Sequence, residues 1–155
     1  MTAIKSLLYL IFEAGVFALY VPLRFFRTGP RIETGVLAFL AIPLWLIGSL
    51  VILWCFRDFT FKGRGTPLPS DPPRELVITG PYRYVRNPIY VAVGIIYAGY
   101  FLWFGYWAIL VYAALALVGV HLFVVLYEEP SLRRRFGASY EAYLRSVPRW
   151  VPHFR

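Results

Sequence analysis

The chain has 155 residues, of which 59% are hydrophobic, 19% aromatic and only 15% charged, with a formal net charge of +8. Soluble domains run about 45–50% apolar and about 25% charged, and a fold this small leaves much of its surface exposed. The apolar surplus must face lipid or a partner, which excludes a soluble enzyme and a disordered tail. The single Cys55 excludes a disulfide scaffold.

Ser6 to Leu23 is a first apolar run, interrupted only by Glu13, and Gly35 to Phe56 is a second with no charge at all. A spanning helix needs roughly 17–25 such residues. Asn87 to Tyr127 lacks Asp, Glu, Lys and Arg and is long enough for two spans. The turn between them falls at Phe104-Gly105-Tyr106, since glycine tolerates tight backbone geometry. The expected fold class is all-α: a polytopic membrane protein with about four transmembrane helices, the last two a tight hairpin. The third, about Pro88 to Trp103, is short at about 1.5 Å per residue and calls for tilt or local thinning. Residues 1–62 form an N-terminal two-helix membrane part, and residues 63–155 a C-terminal part of the same integrated domain.

With the spans so placed, thirteen of the sixteen Lys and Arg residues share one side, and only Arg24, Arg27 and Arg31 take the other. The positive-inside rule then puts both termini in the cytoplasm, at the plasma (inner) membrane if the cell is prokaryotic. Topology thus accounts for the basic excess without nucleic-acid binding, the competing reading of a high pI. The first run is too long for a cleaved signal peptide and lacks a small-residue cleavage site.

Arg57 to about Asn87 is one long loop. Its stretch from Gly63 to Pro73 is too rich in proline for regular helix, and loops of this length are usually lids or linkers. Beyond the last span, Pro130 opens a segment with Leu132, Phe136, Tyr140, Tyr143 and Leu144 at helical spacing. That pattern predicts an amphipathic helix at the cytoplasmic interface.

Ionisable groups near or inside a membrane are functional candidates because burying charge in hydrocarbon is costly. Glu128 and Glu129 stand at the cytoplasmic end of the fourth span, and together they favour a cationic partner. His121 lies two helical turns earlier, on the same face as Glu128. Glu13, deep in the first run, suits an interhelical hydrogen bond. The densest constellation precedes the third span: Thr79-Gly80-Pro81-Tyr82-Arg83-Tyr84-Val85-Arg86-Asn87-Pro88-Ile89-Tyr90. Gly-Pro marks a turn, and Pro88 suits a first helical turn, where its missing donor does no harm. A helix start beside Arg83 and Arg86 attracts an anionic group. Tyr90, Gly94, Tyr97 and Ala98 form a stripe whose small residues predict close helix packing. A cation site and an anion site on one membrane face suit a zwitterion. No metal constellation is present, since His121, His153 and Cys55 do not make a zinc site.

At these residues the chain resembles the isoprenylcysteine carboxyl methyltransferase and phospholipid methyltransferase superfamily, small integral-membrane enzymes that use S-adenosylmethionine. The similarity lies in Gly80 to Tyr90, in Glu128-Glu129, and in Leu132, Phe136-Gly137, Tyr140, Tyr143 and Val147-Pro148. It covers roughly Gly63 to Pro152, so residues 63–155 become the cofactor-binding part. The resemblance implies that Leu76, Val77, Tyr82, Asn87, Pro88, Ile89, Tyr90, Glu128 and Glu129 contact the cofactor, with Arg86 beside them. It also implies a cofactor enclosed between hairpin and C-terminal segment, with a lipid-side opening for an amphiphilic acceptor. Many family members have His where this chain has Asn87, which cannot titrate. The prenylcysteine enzymes carry a substrate-binding Arg at the position of Val124, so Arg133 or Arg135 would take that role here. His121 and Tyr90 are the candidate bases. The resemblance implies methyl transfer to a lipophilic acceptor, of isoprenylcysteine-carboxylate or phospholipid-amine type, with S-adenosylhomocysteine as product. Two alternatives are a sterol-type membrane reductase using NADPH and a non-enzymatic membrane protein on the same scaffold.

Overall fold

The computed structural model describes residues 29–64 and 73–152; the Ser6–Leu23 run with Glu13, and His153, lie outside them. Among the described residues the regular structure is helical, apart from one antiparallel bridge between Arg31 and Tyr106. A 3-10 turn, Gly35–Leu40, leads into α1, Ala41–Phe61. A short turn, Gly80–Arg83, precedes α2, Pro88–Phe104, and α3 follows at Trp107–Phe123. A wide π-turn, Val124–Glu128, joins α3 to α4, Glu129–Phe136, and α5, Ala138–Ser146, ends the helical part.

Two stretches are long and apolar enough to cross a bilayer, Gly35–Phe61 and Trp107–Phe136, with 27 and 30 residues. About 20 residues suffice for the hydrocarbon. Both therefore have length to spare, and it falls where Arg57, Asp58 and the Glu128–Arg135 charges begin. Between them α2 is a shorter apolar helix of 17 residues. Large apolar side chains such as Leu46, Leu50, Leu115 and Leu126 are at least half exposed. That is the surface the composition demanded.

The α2–α3 hairpin turns at Gly105 as expected. Its φ of 73° is left-handed, and a Cβ there would collide with the Ile32 carbonyl. The preceding loop clamps this turn: Ile32 N donates to Gly105 O at 2.9 Å, and the Arg31 guanidinium lies over the Tyr106 ring.

The α1–α2 packing differs from the expected stripe. Gly94 and Ala98 are exposed, and a Cβ on Gly94 would meet nothing within 4 Å. The contact runs instead along Ala92, Ile96 and Gly99, all buried. An ideal Cβ on Gly48 would sit 2.6 Å from the Ile96 side chain, and one on Gly99 2.7 Å from Trp45 Nε1. Two glycines, one per helix, let the backbones approach closely. Small residues occur on both faces of α2, so their spacing did not reveal which face α1 would meet.

The expected single amphipathic helix is broken. α4 continues α3 through the wide turn, and the chain bends at Gly137, φ 52°, before α5. Tyr140, Tyr143 and Val147 are buried against Leu76, Leu132 and Phe136. The apolar stripe thus faces protein, because the bend folds α5 back; Arg133 bonds Glu141 at 2.8 Å across it. Burial pushes the Tyr140 hydroxyl up to about 12 and raises Tyr143 as well, so both are neutral donors. Tyr143 uses its proton on the Tyr82 carbonyl at 2.7 Å.

Candidate functional site

The segment from Thr79 to Tyr90 lies between α1, α3–α4 and the C-terminal strap after α5. Tyr82 is buried with Cys55 and Val77, packed by Phe59 and Ile89; desolvation drives its hydroxyl well above its ordinary range. It acts as an apolar plug with a satisfied tip. Asn87 is buried and does not cap α2. Its amide instead donates to the Arg149 carbonyl at 3.2 Å, while Arg86 N donates to the Pro148 carbonyl at 2.9 Å. The motif therefore binds the strap through one side chain and one backbone group.

Glu129 is the centre of this clasp. Arg86 Nη1 reaches its Oε1 at 2.9 Å. Arg149 grips both oxygens, at 2.7 and 3.0 Å. Glu129 is 3% exposed, so both charge-assisted contacts act where water screens them least. The carboxylate raises the pKa of Arg149 in turn. Arg86, expected to attract a ligand's anionic group, is engaged here by the protein's own carboxylate.

Glu128, its neighbour, points elsewhere. Among the described residues its one hydrogen bond comes from Tyr90 Oη at 3.3 Å. The wide turn at Val124–Glu128 widens the helix at this point, a geometry common at functional sites. Tyr90 stacks at an angle on Trp150, centroids 6.5 Å apart, and Trp150 meets the His121 ring at 6.0 Å. Its indole Nε1 donates to His121 Nδ1 at 3.1 Å. His121 and Glu128 thus reach the same pair of rings from either side of the wide turn.

The predicted residues separate into groups. Tyr90 and Glu128 are half-buried and adjacent, and Arg86, Asn87 and Glu129 form the clasp beside them. Leu76, Val77 and Ile89 are packed in hydrophobic clusters, and Pro88 is fully buried. Arg133 is exposed and paired with Glu141, and Arg135 is exposed with its guanidinium over Phe136. The sequence reading overlooked Asp58, Arg149 and Trp150. Asp58 carried one signal, its i,i+4 relation to Lys62; Arg149 was counted only as a basic charge. Among the described residues no group of His, Cys, Asp and Glu could hold a metal ion.

A family model described as phospholipid methyltransferase matches residues 31–139. The chain belongs to the phospholipid methyltransferase family. Membership makes it a membrane methyltransferase, in line with the resemblance carried by Gly80 to Tyr90 and Glu128-Glu129. The matched range includes both of these segments and ends before Tyr140, so Arg149 and Trp150 lie beyond it. No curated protein and no solved structure gives a significant match.

Proposed function

We propose that the protein moves a methyl group from S-adenosylmethionine to a heteroatom on a phospholipid-like amphiphile, at the Tyr90–Glu128 pair. The observation that carries this reading is the meeting of Tyr90 with Glu128, 38 residues apart, inside the family-matched range. The residues fit the donor. Glu128 is a half-buried carboxylate with a single hydrogen bond among the described residues, so it retains acceptor capacity for a cationic group. When bound, the donor supplies an electrophilic sulfonium methyl, which leaves with sulfur keeping the bonding electrons as S-adenosylhomocysteine.

The chain's own residues position and shield. Tyr90 fixes the rotamer of Glu128, and the clasp on Glu129 fixes the backbone beneath it. Trp150 packs against Tyr90, which supports alignment as the main source of rate. His121 Nδ1 already accepts the Trp150 proton, so its own proton belongs on Nε2. It serves the wall of the site rather than base chemistry. This suits an acceptor that arrives already nucleophilic. With four spans and both termini cytoplasmic, as the charge pattern suggests, the site would lie at the cytoplasmic headgroup level, open to lipid.

Titration of the detergent-purified protein with S-adenosylmethionine, S-adenosylhomocysteine and NADPH tests the reading. The expected outcome is that adenosyl ligands bind and NADPH does not. Glu128→Ala weakens binding about tenfold or more, since a hydrogen bond to a charged group contributes about 1.5–3 kcal/mol. Tight NADPH binding with none for the adenosyl ligands overturns it. Mass spectrometry of lipid extracts, with and without the protein, identifies the acceptor by the gain of one methyl.

A further inference from the structure

The donor-binding segment is held at its far end by Glu129; at its near end stands a second buried carboxylate. We propose that Asp58, near the end of α1, is a positioning residue for the donor site, acting through Thr79 and Gly80. The inference rests on the reading that Thr79–Tyr90 holds the methyl donor. Asp58 is 1% exposed. Its Oδ2 accepts from Thr79 Oγ1 at 2.8 Å and from Lys62 Nζ at 3.1 Å. Lys62 also donates to Thr79 Oγ1 at 2.9 Å. Carboxylate, ammonium and hydroxyl form a closed triangle that joins α1 to the first residue of the motif.

The next residue leaves no slack. Gly80 has φ 59°, and an ideal Cβ there would sit 2.7 Å from Asp58 Oδ2 and 2.6 Å from Trp54 Nε1. The backbone is pressed against α1 in a left-handed conformation that only glycine adopts cheaply. From that point the 3-10 turn through Arg83 sets the direction in which Tyr82, Arg86 and Tyr90 follow. An error at Thr79 is carried down the whole segment.

One atom argues that this triangle does more than hold the fold together. Among the described residues, Asp58 Oδ1 is buried with no hydrogen-bond partner. A half-satisfied buried carboxylate costs stability, and an apolar residue would fill the space without that cost. A feature that is poor for stability and holds a segment at a defined angle is expected where position matters for chemistry.

The test compares wild type with Asp58→Asn, Asp58→Ala and Thr79→Val. It reads S-adenosylhomocysteine affinity and hydrogen exchange of amides 80–86. Asp58→Ala should raise Kd about tenfold, the equivalent of one lost charge-assisted hydrogen bond. It should also speed exchange of 80–86 while the α2 and α3 amides keep their protection. Asp58→Asn, whose amide oxygen still accepts from Thr79, should stay near wild type in both. Should Asp58→Ala fail to fold, Thr79→Val removes the link while leaving the Asp58–Lys62 pair, and the same two readouts must move. Unchanged exchange and affinity in Asp58→Ala or Thr79→Val, or an Asn variant as impaired as Ala, overturns the proposal. If wild type binds no S-adenosylhomocysteine, the donor reading falls, and exchange at 80–86 still decides whether Asp58 holds the segment.

Discussion

Asp58 and Glu129 are both buried carboxylates, and they grip the two ends of one segment by different means. Glu129 meets two guanidinium groups, one of them bidentate, and both of its oxygens are satisfied. Asp58 meets a hydroxyl and a half-exposed ammonium through one oxygen, and its other oxygen has no partner among the described residues. The first arrangement is a tertiary lock: three parts of the chain converge on it, and each loses its charge partner if it opens. The second is a local spacer, with Lys62 one helical turn away and half its side chain in solvent. The contrast teaches that burial alone does not set how much a charge contributes; the number and exposure of its partners do.

That contrast can be broken by mutation. Glu129→Ala leaves Arg86 and Arg149 facing each other without an anion and should cost about 3–5 kcal/mol, the range for breaking a buried pair. Chemical denaturation in detergent measures it. Asp58→Ala should cost less, about 1–3 kcal/mol, because Lys62 can turn to water. Equal losses would show that the two carboxylates do the same work. Gly80→Ala should cost about 1–3 kcal/mol from backbone strain alone, with further loss from the contacts to Trp54 and Asp58. Tyr90→Phe removes one hydrogen bond from Glu128 and should weaken donor affinity by up to about tenfold, or about 0.5–1.5 kcal/mol, with little change in melting. Arg133→Ala opens an ion pair whose two partners are nearly half exposed and should shift stability by about 0–1 kcal/mol. A large effect there would mean that the pair holds α4 to α5 far more firmly than its exposure allows.

How far the sequence could be read followed the range of the forces involved. The helices α1, α2 and α3 were legible because apolar runs and a glycine turn are local signals. Gly105 fell where expected since no other residue tolerates that backbone so well. The motif and the acidic pair were legible as types, through their resemblance to a family that the chain proves to belong to. The partners were not. Arg149 looked like one more cytoplasmic charge until the bend at Gly137 returned the chain to Glu129. Tyr140 and Tyr143 had the spacing of a membrane-lying face, and the same spacing serves a face folded onto protein. Gly94 and Ala98 had the size for helix packing, but α1 meets the face of Gly99.

Length, composition and charge by themselves pointed to a membrane protein, and the apolar runs located α1, α2 and α3. Hydrophobicity and backbone preference are properties of single residues and short windows, so they survive in the one-dimensional record. Tertiary structure alone decided that Glu129 is a lock, that Glu128 is the freer carboxylate, and that Asp58 and Trp150 belong to the candidate site's surroundings. Those roles depend on which distant groups come within about 3 Å of one another. Two adjacent glutamates have the same local sequence, and only the approach of Arg86, Arg149 and Tyr90 makes them different.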